Sequence, residues 1–323
     1  MPARATVPDD GRPSFVRASK VRRRDFDEEF DVNEGRPELV DTHVHFWDVA
    51  TQQRGWITGE WEPSQEAYLG DYTPLKRTFL LEDLLPLYAA ARVAKVVHVQ
   101  ADWGGEDQVD ETRWVASLAA SANFPVAIVA GADLRAPGAR EDLERHRAAG
   151  PVRGVRMLSY YENLFEDPAF LRGLSLLEDF DMVFEIGVMW DRLDDALELA
   201  RRRENVRFVI DHAGMPLKRD DATLSTWRQG LRAIAGCENV VIKISGLGMG
   251  CHPLKAQQMG PIVNDALEAF SAARSMLGSN WPVDSLFGDF GDLIAALEEI
   301  TINLSPTEQW ALWRGTAERV YRI

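Results

Sequence analysis

The sequence predicts an α/β fold: one (β/α)8 TIM barrel over residues 38–323, preceded by a polar arm, residues 1–37. Short β-branched or apolar runs alternate with longer stretches of helical spacing, the pattern of βα units on a parallel sheet. The runs number eight. A chain of 323 residues that is 46% hydrophobic can bury one large core without a second domain.

The expected strands are 38–45 (ELVDTHVH), 94–100 (AKVVHVQ), 126–132 (VAIVAGA), 152–157 (VRGVRM), 182–187 (MVFEIG), 206–212 (VRFVIDH), 239–245 (NVVIKIS) and 275–280 (SMLGSN). The intervening segments 83–93, 111–122, 139–149, 168–180, 192–203, 222–235 and 260–273 carry Leu, Ala, Ile or Phe at helical spacing, and a last helix at 305–320 closes the ring. In the arm, Arg17, Lys20, Arg22, Arg23 and Arg24 precede Asp25, Asp27, Glu28, Glu29 and Asp31, which reads as a solvated tail or a contact between subunits of a homo-oligomer. The first βα connection, 47–82, is long and holds Trp56, Trp61, Tyr68 and Tyr72, so it reads as a loop covering substrate or as an aromatic packing loop.

A net charge of −15 without a basic stripe argues against nucleic acid as a partner. Cys237 and Cys251 are too few for a disulfide framework. With no signal-peptide plan and no uninterrupted apolar run of about 18 residues, the expectation is a soluble cytoplasmic protein with a small-molecule substrate.

Chemistry in such a barrel sits at the C-terminal ends of the strands. The first strand ends in Asp41-Thr42-His43-Val44-His45, and alternation along a strand turns His43 and His45 the same way, where they can grip one metal ion or one anionic oxygen. The sixth run ends in Asp211-His212, which adds a third imidazole. Lys243 shares its phase with Ser245, and a lysine inside a barrel must be paired or face substrate. Trp47 and Trp103 follow the first and second strands and read as flat walls for a ring or as packing.

The ordered set VDTHVHFWD (40–48), VHVQADW (97–103), ETRWVASLA (111–119), VRGVRM (152–157), FVIDHAGMP (208–216), VVIKISGLG (240–248) and MLGSNWPVD (276–284) resembles the lactonase branch of the amidohydrolase superfamily. That branch includes L-fuconolactonase and 2-pyrone-4,6-dicarboxylate lactonase. The resemblance implies a hydrolase that opens a small anionic lactone, of a sugar acid or a carboxylated ring, by attack of water. His43, His45 and His212 match the family histidines, and Arg156 matches a basic strand-end residue suited to a substrate carboxylate.

Where most of the branch reads Gly-Ser-Asp-Trp-Pro, this chain has Asn280, and an amide cannot be a general base. Asp284 is the expected substitute, with Glu185 and Asp211 in reserve; Asp211 is expected to alternate away from His212. The fifth strand lacks the superfamily's metal-binding histidine and the fourth lacks an inward lysine. The expected cofactor is therefore none tightly bound, or one divalent ion, zinc, on His43, His45 and His212. Two alternatives stay open: a metal-dependent decarboxylase with Arg156 on the departing carboxylate, and a barrel that binds a cyclic metabolite without turnover.

Overall fold

The computed structural model describes residues 36–158 and 163–323, so the arm, residues 1–37, falls almost wholly outside the described residues. At its end Arg36 stacks on Trp313, 4.4 Å from the ring centroid. Eight strands run in chain order: β1 (Leu39–Val44), β2 (Val93–Val99), β3 (Val126–Gly131), β4 (Val152–Arg156), β5 (Val183–Ile186), β6 (Arg207–Ile210), β7 (Val240–Ile244) and β8 (Ser275–Leu277). Every neighbouring pair from β1 to β8 is parallel. The ring closes just beyond β8, where His45 N donates to Trp281 O (2.7 Å) and Asn280 N to His43 O (2.7 Å). Asp41 clamps the same seam by accepting from Ser279 N (2.8 Å) and Ser279 Oγ (2.6 Å).

Each expected strand is present, and the expected helices lie between them, with 168–180 divided into Pro168–Leu174 and Leu176–Phe180. Sequence reading missed the helix Phe290–Thr301 that follows β8. The C-terminal segment has a further role. Its Ala317, Val320 and Tyr321 pack with Val40, Val97, Val129, Val183, Val209 and Met276. It therefore plugs the barrel, adding apolar area inside the ring where eight short strands leave room. Among the described residues, no helix is long and apolar enough to cross a membrane.

Candidate active site

Alternation along the strands puts Glu185 in phase with Val183, Asp211 with Val209, and Lys243 with Val241, on the inward side of the barrel. Tyr321 Oη donates to Glu185 Oε1 (2.6 Å), and Lys243 Nζ lies 2.7 Å from both Glu185 oxygens and 3.8 Å from Asp211 Oδ1. Lys243 has no exposed surface. The expectation that it binds substrate is corrected: its ammonium neutralises buried carboxylates beneath the cavity, which answers the cost of placing it there.

Asp211 also departs from expectation. His212 and Ala213 adopt left-handed backbone (φ 52° and 53°), which breaks alternation at the end of β6 and leaves Asp211 and His212 in one cluster. Asp211 Oδ1 sits 3.5 Å from His43 Nδ1, and the ring of His43 stands 4.9 Å from that of His45 and 4.4 Å from that of His212. Glycines make this crowding possible. A Cβ on Gly278 would fall 2.8 Å from His43 Cβ, and one on Gly246 (φ +60°) would fall 2.6 Å from His212 Nδ1.

Burial governs the protonation of the cluster. It pushes His43 and His45 well below the usual imidazole range, and His212 down to about 4. His45 Nδ1 lies 2.8 Å from Val99 O, which fixes the proton there and leaves Nε2 with the lone pair. Asp211 is held well below the carboxylate range by His43 and Lys243, against the effect of burial.

Ligating atoms of His43, Asp211 and His212 lie within 4.8 Å of one another. His43 Nδ1 and Asp211 Oδ1 are buried and accept or donate no hydrogen bond within the protein. Neutral imidazoles beside an ionised carboxylate with such unused atoms fit a single divalent cation. In this compact set Asp211 replaces His45, which alters the expected trio.

A cavity of about 290 Å³ opens above the cluster. His45, Arg156, His212 and Asn280 supply its polar floor; Leu69, Met215, Met249 and Val283 supply apolar wall. The 47–82 connection covers it through Trp56, Gln65 and Tyr68, on the short helices Gly55–Thr58 and Pro63–Leu69. Arg156 NH2 donates to Gln100 O (2.6 Å), and NH1 lies 3.4 Å from Asp211 Oδ2. Its guanidinium is thus anchored from below and presents one edge to the cavity.

Three expected residues lie off the wall. Trp47 is fully buried, donates to Arg77 O (2.7 Å) and meets Phe79 edge-on, so it packs the base of the covering loop. Trp103 lies against the guanidinium of Arg54, 5.2 Å from its ring centroid, while Trp56 takes the place on the cavity expected for Trp47 and Trp103. Asp284 has no exposed surface and accepts from Asn280 Nδ2 (2.9 Å) and Gly248 N (3.1 Å). Behind Asn280 it cannot touch substrate, which corrects its reading as the base. Sequence reading also passed over Asp102, which borders the cavity two residues beyond the VHVQ end of the second strand. Its position one residue before Trp103 was the available signal.

The amidohydrolase family matches residues 40–323. L-fucono-1,5-lactonase of Burkholderia multivorans is 32% identical over 299 residues, 88% of this chain and 96% of that protein. The uncharacterized protein y4mH of Sinorhizobium fredii is 29% identical over 296 residues, 88% of this chain and 98% of its own. A zinc-bound amidohydrolase crystal structure from Burkholderia multivorans superposes with a TM-score of 0.76 at 30% identity, over 89% of this chain and all of that one. With the barrel, the histidine cluster and the family match in agreement, this chain belongs to the amidohydrolase family.

Proposed function

We propose that this protein hydrolyses a small lactone of a sugar acid to the open hydroxy acid. The observation that carries the reading is the convergence of His45, His212, Arg156 and Asn280 on one cavity sized for a single ring. The 32% identity to an L-fucono-1,5-lactonase supports it. A sugar-acid ring suits the cavity better than a carboxylated one, because Arg156 already serves Gln100 O and Asp211.

Arg156 is the one cation on the cavity wall among the described residues, and it stabilises the negative charge that develops on the carbonyl oxygen. Asn280 gives its N–H to Asp284, so its carbonyl oxygen is free to accept from a substrate hydroxyl or from water. The apolar wall and the covering loop limit the water that reaches the ring. His43, Asp211 and His212 would hold one divalent ion, which we assign as zinc; when bound, it would polarise the lactone carbonyl as a Lewis acid. With two cysteines and an acidic surface, we place the enzyme in the cytoplasm, acting on a small molecule without a nucleic-acid or membrane partner.

A panel of sugar-acid lactones and carboxylated pyrones, assayed for hydroxy acid and for carbon dioxide on protein of measured metal content, tests this. Opening of the sugar-acid lactones with at most one ion per chain is expected. Carbon dioxide release without ring opening replaces the reading with a decarboxylase, and two ions at full occupancy overturn the single-metal assignment.

A further inference from the structure

We propose that Asp102, at the rim beyond β2, is the group that takes the proton from the attacking water. The proposal rests on the hydrolytic reading above. The end of β8 offers an amide, Asn280, and the other carboxylates near the site are each engaged. Asp284 is bound by Asn280 and Gly248, Glu185 by Lys243 and Tyr321, and Asp41 by Ser279. Asp211 is buried among His43, Arg156 and Lys243.

Asp102 differs on each count. Among the described residues it is the one carboxylate bordering the cavity. It is exposed, and no described residue donates a hydrogen bond to its carboxylate, which keeps its lone pairs available to a water in the cavity. Its backbone is left-handed (φ 61°), and its N–H donates to Gln100 Oε1 (2.7 Å). Gln100 also accepts from Arg156 through its main-chain oxygen (2.6 Å), so one residue registers the carboxylate and the cation relative to each other.

The covering loop comes close from the other side. A Cβ on Gly55 would lie 3.5 Å from Asp102 Oδ2. Although the residue as a whole is exposed, partial burial of its carboxylate raises its pKa, with Glu111 adding to the rise and Arg54 and Arg156 opposing it. A carboxylate of raised proton affinity beside a cation is the environment a general base uses near neutral pH.

The proton accounting closes. As the water oxygen bonds to the carbonyl carbon, its proton passes to the Asp102 carboxylate and the carbonyl π pair moves onto oxygen. When the tetrahedral intermediate collapses, the ring C–O bond breaks, and the proton goes from Asp102 to the departing ring oxygen. The product is the hydroxy acid, with Asp102 ionised again.

Asp102→Asn is the main test, because Asn also tolerates the left-handed backbone and folding should be kept. The expected result is a fall in kcat of about 10² or more with little change in KM, together with loss of the acid limb of the kcat/KM profile. Formate should restore part of the rate of Asp102→Ala. A kcat for Asp102→Asn within about threefold of the parent, or an effect confined to KM, overturns the assignment. A second measurement needs no turnover: carboxyl ¹³C NMR, with the Asp102 signal assigned by its absence in Asp102→Asn. Titration above the ordinary value of about 3.9 is expected, and titration at or below it overturns the proposal. A parent enzyme that opens no lactone defeats the substrate reading, while the NMR titration still decides whether Asp102 has the proton affinity of a base.

Discussion

The side-chain amide of Asn280 donates to Asp284 Oδ1 at 2.9 Å, so a carboxylate without exposed surface orients the amide on the cavity floor. Burial pushes Asp284 up to about 7. In Asn280→Asp the introduced carboxylate faces Asp284 at hydrogen-bond distance, and the two must share a proton. The variant should lose about 10-fold in kcat/KM near neutral pH, because the cavity receives an ionised or a donating group in place of a fixed acceptor. Undiminished kcat/KM would remove Asn280 from contact with substrate. Asp284→Ala leaves the N–H groups of Asn280 and Gly248 unpaired, which costs about 1–3 kcal/mol and should appear as a lower melting temperature.

Arg156 reaches the cavity while bonded to Gln100 O at 2.6 Å. Arg156→Leu removes the cation opposite the developing oxyanion, and kcat should fall by about 10². If Arg156 only clamped a substrate carboxylate, KM would rise instead at nearly constant kcat, so the split between the two constants decides its role.

Strand phase made much of this readable from the sequence. The eight short β-branched or apolar runs gave the barrel, and the His-x-His ending of the first marked the mouth, because period-2 alternation is a local property. What failed lay outside strand alternation, in one local backbone turn and in pairings between distant segments. His212 turns toward Asp211 through left-handed backbone that no alternation rule contains. Lys243 and Tyr321 reach Glu185 from two distant segments, and a buried pairing of this kind leaves no periodic trace. Trp47 and Trp56 both follow the first strand. Only the fold of the covering loop decides that Trp56 reaches the cavity and Trp47 does not.

The Lys243–Glu185 pair is an internal charge set, and Lys243→Met should cost about 3–5 kcal/mol by leaving Glu185 buried without its counter-ion. Replacing both, as Lys243→Met with Glu185→Leu, should recover much of that loss. Denaturant titration of the single and double variants checks this; equal losses in both would show that the ion pair is not the source. Tyr321→Phe removes a hydrogen bond to the same carboxylate and should cost about 1–3 kcal/mol.

Stability should fall as the pH drops below about 6.5, the unfolded value for histidine. All six histidines, His43, His45, His98, His146, His212 and His252, are lowered in the fold, chiefly by burial. A group with a depressed folded pKa contributes stability that is present above the unfolded value and is lost as the pH falls toward the folded one. Raised carboxylates act in the opposite sense. Asp41 (about 6) and Asp284 (about 7), with Glu185 and Asp102 also raised, stabilise at low pH and lose that contribution as the pH rises through their folded values. Six imidazoles outnumber four carboxyls, so between about pH 6.5 and pH 5 the unfolded chain binds more protons and unfolding is favoured. A melting-temperature series over that range should therefore slope downward toward acid, more gently in His212→Gln, which removes one of the six proton-binding groups. A melting temperature that rises on acidification would mean that the carboxyls outweigh the histidines and that the cluster is charged in the folded enzyme, contrary to its buried, lone-pair-bearing state.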